Sequence, residues 1–462
     1  MMLRTINPTP DSLKKELANA IAEAVSCYHA DFWGNSWEME DVCEPADTDS
    51  VPKWARNDFT RKRVLTMDKT ISLLLSMQGG SLKKELHEAG IDVTASAFVQ
   101  QRKKIPWIVF DDVFEYFNNR CKDIKTYKGY RVLAADGTTV NMARNPKSES
   151  FMQNAGNPRG YNQLHVNPLY DVLNKTYVHS VIQPQPRQDE VGALAFMLWF
   201  HDFEEKTLIV ADRGYESYNT FAYFQESPKV DFLIRVKQDR SAMREIGKLP
   251  MRELDTDVSF TITTTQTKAD KENGYILVQT RKNKDRAYSE NTKASRWDFP
   301  SPYPMKFRVV RILLDTGEYE TLATSLPRSF TPAEIKELYH ARWGIETAFR
   351  ELKYGIGLVN LHGKSDDFVK QEIFAAMTMS NFCSRIINEV IVPKKTGNIY
   401  EYQVNRTMAM DLCRKFFRTP DTDSAKLMKD IAKYVEPVRP CRRDARNIRA
   451  KSFAGFIYRV SA

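Results

Sequence analysis

Three acidic side chains and one row of mixed polar residues stand out by type and position. Asp136 closes the apolar run 129–135 and is followed by Gly137. Asp212 closes the run Thr-Leu-Ile-Val-Ala at 207–211 and is followed by Arg213 and Gly214. Acids at strand ends of a mixed sheet can converge at one sheet edge, where ligands commonly bind. Each also has a plain alternative: Asp-Gly is a turn dipeptide, and Asp-Arg-Gly can simply open a loop. The third acid, Glu346, lies in the segment 339–355, YHARWGIETAFRELKYG. Here Tyr339, Arg342, Glu346, Arg350 and Lys353 stand at offsets 0, 3, 7, 11 and 14. On one straight helix they fall at roughly 0°, 300°, 340°, 20° and 320°. Leu338, Ile345, Phe349 and Leu352 take the adjacent sector, which is the face predicted to be buried. A salt-bridge ladder on a solvated helix explains Arg342, Glu346 and Arg350. It does not explain Tyr339 and Lys353 on the same line, nor Trp343 and Gly344 within it.

This combination suits phosphodiester chemistry. Carboxylates are hard oxygen ligands for divalent ions. Two such ions about 3.5–4 Å apart can activate water and stabilise a leaving oxygen. Guanidinium and ammonium groups hold the neighbouring phosphates, so the protein's task is mainly positioning and charge stabilisation.

Other chemistries lack support. The 462 residues contain seven His but no HExxH, and no GxxxxGK[ST] loop, so zincin and P-loop chemistry are disfavoured and no nucleotide cofactor is expected. The six cysteines are scattered without a CxxC pair, which fits a reducing cytoplasm. No run of about 18 apolar residues exists, so no membrane partner is expected. Lys and Arg number 68 against 59 Asp and Glu, a net charge of +9, and a positive excess favours polyanions. Beyond residue 435, Arg439, Arg442, Arg443, Arg446, Arg449, Lys451 and Arg459 face only Glu436 and Asp444.

The elements that must position the acids can be read from periodicity. Residues 1–125 read mainly helical, with an acidic, turn-rich stretch at 34–54. Within them 81–105 has the order helix, short Gly-containing turn, helix, with Ser81 and Thr94 as caps. The second helix bears Arg102, Lys103 and Lys104, which can bond bases or phosphates. Two packed amphipathic helices with solvated basic faces are the plain alternative. From residue 127 strands dominate: three consecutive strands, then helix, strand, helix, strand to 237, an α/β layout with one mixed sheet. Residues 238–325 read as a β-rich insertion with a hairpin at 315–317. Helix resumes at 331, with Thr331 before Pro332, and continues to about 390. Residues 393–462 read as helical in part and basic at the end.

The spacing Tyr339-x2-Arg342-x3-Glu346-x6-Lys353 resembles the Tyr-Arg-Glu-Lys signature of bacterial DDE transposases similar to the insertion-sequence-4 group. The resemblance runs from about 127 to 390. It includes LAADGTT around Asp136, IVADRGY around Asp212, FLIRVK at 232–237 and LATSL at 322–326. It implies an α/β, RNase H-like mixed-sheet catalytic core split into 126–237 and 326–392 by the β-rich insertion 238–325. A helical N-terminal DNA-binding region (1–125) and a helical, basic C-terminal region (393–462), for DNA binding or dimerisation, would flank it. The strand order read from periodicity agrees with such a core.

By the same resemblance, Asp136, Asp212 and Glu346 are the catalytic metal-binding triad. They would hold two Mg²⁺, with Mn²⁺ as a possible substitute. Tyr339, Arg342 and Lys353 contact the backbone of the transposon end, and Arg235 and Lys237 lie along DNA. Some relatives stack a flipped base on a Trp in the last strand of the insertion. The matching strand here, 319–325, has none, and Tyr319 and Trp297 are the available π-faces. The expected function is binding of terminal inverted repeats followed by metal-dependent cleavage and strand transfer. The expected partners are transposon-end and target DNA and a second copy in a synaptic homodimer, in a bacterial, nucleoid-associated setting. A DNA-binding regulator that no longer cuts, and a metal-dependent nuclease of the same fold, are the alternatives.

Overall fold

The computed structural model describes residues 8–31, 59, 64–238, 243–278, 297–393, 399–420 and 422–438. The acidic stretch 34–54 lies outside these residues, as does the basic tail after 438. Five helices come first: α1 (Pro10–Asp31), α2 (Met67–Ser76), α3 (Leu82–Glu88), α4 (Ala95–Arg102) and α5 (Ile108–Arg120). On α1 the buried residues are Leu13, Leu17, Ala20, Ile21 and Ala24, one stripe at helical spacing. The side chains of Ser81 and Thr94 accept the N–H of Lys84 and Ala97. Each thereby satisfies a donor that a helix start leaves open.

One eleven-stranded mixed sheet follows. Its first part is β1 (Arg131–Ala135), β2 (Thr138–Met142), β3 (Phe151–Asn154), β4 (Asn157–Asp171), β5 (Thr176–Pro184), α6 (Glu190–Phe200), β6 (Thr207–Ala211), α7 (Tyr218–Gln225) and β7 (Val230–Arg235). Its second part is α8 (Arg244–Gly247), β8 (Leu254–Thr263), α9 (Lys268–Glu272), β9 (Ile276–Leu277), β10 (Tyr303–Leu313) and β11 (Tyr319–Thr324). β11 pairs antiparallel with β7, so the β-rich segment extends the same sheet in the order β7-β11-β10-β8-β9. β1, β6 and β7 run parallel. Their residues alternate between two cores. Leu133, Ala135, Ile209, Ala211, Phe232 and Ile234 face α6 and α7. Val132, Leu208, Val210 and Leu233 face the opposite side. Burial on both faces is why these strands read as unbroken apolar runs.

The long strand β4 holds β1 and β2 in one continuous register: Ala135 pairs with Leu169, and Thr138 with Val166. Asp136 and Gly137 interrupt that line opposite Pro168 and Asn167. Pro168 has no N–H to offer the ladder, so the interruption falls where pairing is weakest.

After the sheet come α10 (Pro332–Ala341), α11 (Gly344–Arg350), a π-helical turn (Glu351–Gly355) and α12 (Asp366–Asn388). β12 (Glu401–Val404), α13 (Arg406–Arg418), α14 (Ser424–Lys433) and β13 (Val435–Val438) end the described chain. α12 is the hub of the helical region, packing against α2, α5 and α13. The single straight helix expected over 339–353 is not what forms. The N–H groups of Arg342, Trp343 and Ile345 bond three residues back, to Tyr339, His340 and Arg342, tightening the chain between α10 and α11. Gly344, a poor helix former, starts the second piece. The N–H of Ile356 bonds five residues back to Glu351 and widens the last turn. The 100° stripe therefore holds only within each piece.

Candidate active site

The parallel pairing of β1 and β6 sets Ala135 against Ala211. The next residues, Asp136 and Asp212, thus leave neighbouring strands at the same end, with backbones about 4.8 Å apart. Strand alternation carries both side chains toward the α10–α11 face. A glycine amide fixes each carboxylate: Asp136 Oδ1 accepts the N–H of Gly137 at 2.8 Å, and Asp212 Oδ1 that of Gly214 at 2.7 Å. Burial pushes the Asp136 carboxyl up to about 6. The Gly137 amide and the Arg342 guanidinium pull it down, while the charges of Asp212 and Glu190 push it further up.

Glu346 comes from the helical side. Thr331 and Glu334 form a capping box that starts α10. Buried Tyr339 and Arg342 follow at its end. The Arg342 guanidinium lies 3.8 Å from Asp136 Oδ2 and 3.5 Å from Glu346 Oε1, bridging strand and helix. It also stands over the rings of Tyr339 and Trp343, at 5.9 and 5.3 Å from their centroids. Its Nε is buried without a hydrogen-bond partner. Burial raises the Tyr339 phenol above its ordinary value. Lys353, at the π turn, donates to Thr138 Oγ1 at 2.7 Å, two residues past Asp136. Burial holds its ammonium below the usual lysine range. Arg350 is exposed.

The next strand continues the edge. Ala211 pairs with Ile234, so Asp212 is followed laterally by Arg235. Arg235, Lys237, Arg213, Tyr319 and Thr321 line a cavity of about 220 Å³. Arg235 Nε is 3.6 Å from Glu320 Oε1, and Lys237 is exposed. The structure thus brings Asp136, Tyr339, Arg342 and Glu346 together, and sets Arg235 beside Asp212 with Lys237 and Tyr319 in the adjoining cavity.

Two expected contacts are corrected. Trp297 packs against Phe299 and Tyr303, at centroid distances of 5.6 and 5.3 Å, so its ring is occupied by an aromatic cluster. Arg102 does not face solvent. It is 2% exposed and donates to Gln371 Oε1, Glu372 Oε1 and the Phe368 carbonyl, locking α4 onto α12. Lys103 is exposed, and Lys104 lies over the Phe59 ring at 5.9 Å.

The sequence reading missed His165 and Glu190. His165, on β4, and Glu190, in the first turn of α6, are bonded Nε2 to Oε1 at 2.9 Å. Both sit against Gly137, where any Cβ would overlap them. In the sequence, Glu190 looks like an ordinary first-turn helix acid and His165 like one residue of an alternating strand. Only the folded register joins them. Among the described residues, no three His, Cys, Asp or Glu side chains are close enough together to enclose a metal ion. Among them, too, no helix is long and apolar enough to cross a membrane.

A family model described as a transposase DDE domain matches residues 127–382, more than half of the chain. No curated protein matches. Among solved structures, the chain is similar to a piggyBac transposase synaptic complex with hairpin DNA determined by cryo-EM, at 12% identity. The match covers 96% of this chain and 88% of that one, with a TM-score of 0.45. The matched span begins just before β1 and ends within α12, enclosing the acidic sheet edge and the helices facing it; the chain belongs to the DDE transposase family, enzymes of mobile elements that cleave DNA and transfer its strands.

Proposed function

We propose that this chain is a cut-and-paste transposase of the insertion-sequence-4 type, with an RNase H-like core, acting on the terminal inverted repeats of its element. The observation that carries this reading is the β1–β6 register, which aligns Asp136 with Asp212 while Arg342 ties Asp136 to Glu346. The strand pattern supports the core: β5, β4 and β1 run antiparallel in sequence, with β6 and β7 added parallel beyond β1.

The donor set fits divalent cations. It offers three carboxylates with hard oxygens, and the half-buried Asp136 carboxyl is raised by burial and by the neighbouring acids, a cost that a cation would relieve. The one positive group among them is Arg342, which stands between Asp136 and Glu346. Asp136, Asp212 and Glu346 would hold two Mg²⁺, which when bound supply charge stabilisation and activate water for attack on a phosphodiester. The chain's own residues do the rest. Arg342, released from bridging the acids, has donors for a phosphate beside the scissile bond. Lys353 carries its ammonium to the Thr138 side of the same edge. Arg235 and Lys237 extend the cationic track past Asp212, and Tyr319 offers a π-face within that cavity. The exposed Lys103 and its neighbour Lys104 directly follow α4, the second of two capped helices, which would read the repeat. A synaptic homodimer would hold the two ends together.

The test is a plasmid carrying the DNA that flanks this gene at both ends of a marker. Wild type should excise the marker in Mg²⁺ and not in EDTA. Glu346→Gln should still bind the ends but not cut. Cutting by Glu346→Gln at the wild-type rate would remove Glu346 from the triad. Cutting indifferent to the flanks would indicate a general nuclease.

A further inference from the structure

We infer that Glu190 adds negative charge beside the cation-binding triad, oriented by His165 and admitted by the missing side chain of Gly137. The inference rests on the reading above that Asp136, Asp212 and Glu346 hold divalent cations.

Asp136 leaves the sheet toward α10–α11. Glu190 comes from the other face, at the start of α6. Gly137 touches both: its N–H donates to Asp136 Oδ1, and its Cα faces Glu190 and His165. A Cβ there would overlap both Glu190 Oε1 and His165 Nε2. Its backbone is in an ordinary region, since it is absent from the positive-φ glycines, so conformation does not require glycine. The close approach of the carboxylate and the imidazole does. Through this gap Glu190 lies within electrostatic reach of Asp136.

His165 sets the carboxylate's direction. It is 5% exposed, and β4 fixes its backbone opposite Thr139 and Gln183. To bond the Glu190 carboxylate, Nε2 must carry the proton and donate. Its Nδ1 is buried without a partner, so among the described residues this is the one hydrogen bond the ring makes. A helix N-terminus already favours an acid in its first turn, which would account for Glu190 anywhere on the exposed side of that turn. It does not account for a half-exposed carboxylate bonded to a buried histidine near a second carboxylate. His165 is a positioning residue in this arrangement, and Glu190 adds negative charge where cations are to bind.

The experiment uses the full chain and free Mn²⁺, followed by the electron paramagnetic resonance signal of the unbound ion. Melting curves check that each variant is folded. Glu190→Gln keeps the shape and removes the charge. It should weaken Mn²⁺ binding by about tenfold or more, as losing a group that acts on a metal site from just outside it does. His165→Gln retains an N–H donor near the Nε2 position and should stay close to wild type. His165→Leu should lose affinity as Glu190→Gln does. Gly137→Ala should also lose affinity, by pushing both groups aside. Wild-type Mn²⁺ affinity in a folded Glu190→Gln protein, with Glu346→Gln still weakened, would overturn this inference and leave the triad standing. A wild-type chain that binds no Mn²⁺ and cuts no flanked plasmid would overturn both.

Discussion

At the scale of single residues, the acidic edge carries a stability cost, and Asp136 shows how. Its carboxyl is held at about 6 in the folded chain, against an ordinary value of 3.8, and burial is the largest cause. On unfolding it ionises more readily. Stability therefore falls as pH rises from about 4 through about 6, and stays lower above that window. Asp136→Asn removes the penalty. With the side chain only 26% exposed, the gain at pH 7.5 should be about 1–3 kcal/mol. It should vanish near pH 4. The readout is the melting temperature of both proteins across that range without divalent ions. Adding Mg²⁺ should then raise the wild-type melting temperature and leave the variant's nearly unchanged. A variant no more stable than wild type at pH 7.5 would mean that Asp136 is better compensated than its surroundings indicate.

At the scale of elements, the sequence was informative where one element decides and uninformative where two must meet. The apolar runs ending at Asp136 and Asp212 were legible because parallel strands are buried on both faces. The caps at Ser81, Thr94 and Thr331 were legible because capping is local. The straight helix over 339–353 was a wrong expectation. Periodicity does not register three backbone bonds shifted from i−4 to i−3, nor one shifted to i−5. Strand β3 and the first half of β4 were not foreseen, since 151–163 is polar and lacks the apolar alternation that marks a half-buried strand, although its partners are near in sequence. Arg102 failed for a different reason, the remoteness of its partners. Its neighbours suggested a basic recognition face, yet its guanidinium answers Gln371 and Glu372, some 270 residues away. Arg102→Ala would leave Glu372 buried with its charge unpaired. It should cost about 3–5 kcal/mol in urea denaturation. Lys103→Ala, at an exposed neighbouring position, should stay within about 0.5 kcal/mol. A mild Arg102→Ala effect would show that α4 is not anchored through this pair.

At the scale of the whole molecule, β4 serves as a jig. Because one unbroken strand templates the segments on both sides of Asp136, that aspartate and its neighbour Asp212 are a fixed datum, set by the centre of an eleven-stranded sheet. Glu346 has no such backing. It rides a seven-residue helix between a tightened joint and a loosened one. Machined parts are aligned in this way, with one reference surface and one jaw that travels. The tolerance of the assembly then belongs to the jaw, and fitting it to the work is the job of whatever the jaw grips. Amide hydrogen exchange should divide the triad accordingly. Protection at β1 and β6 should match global unfolding with or without ligand. Protection across 342–356 should be weaker and should rise when Mg²⁺ and end DNA are added together. Equal protection in both regions of the free protein would mean that the glutamate helix is as firmly seated as the strands it faces.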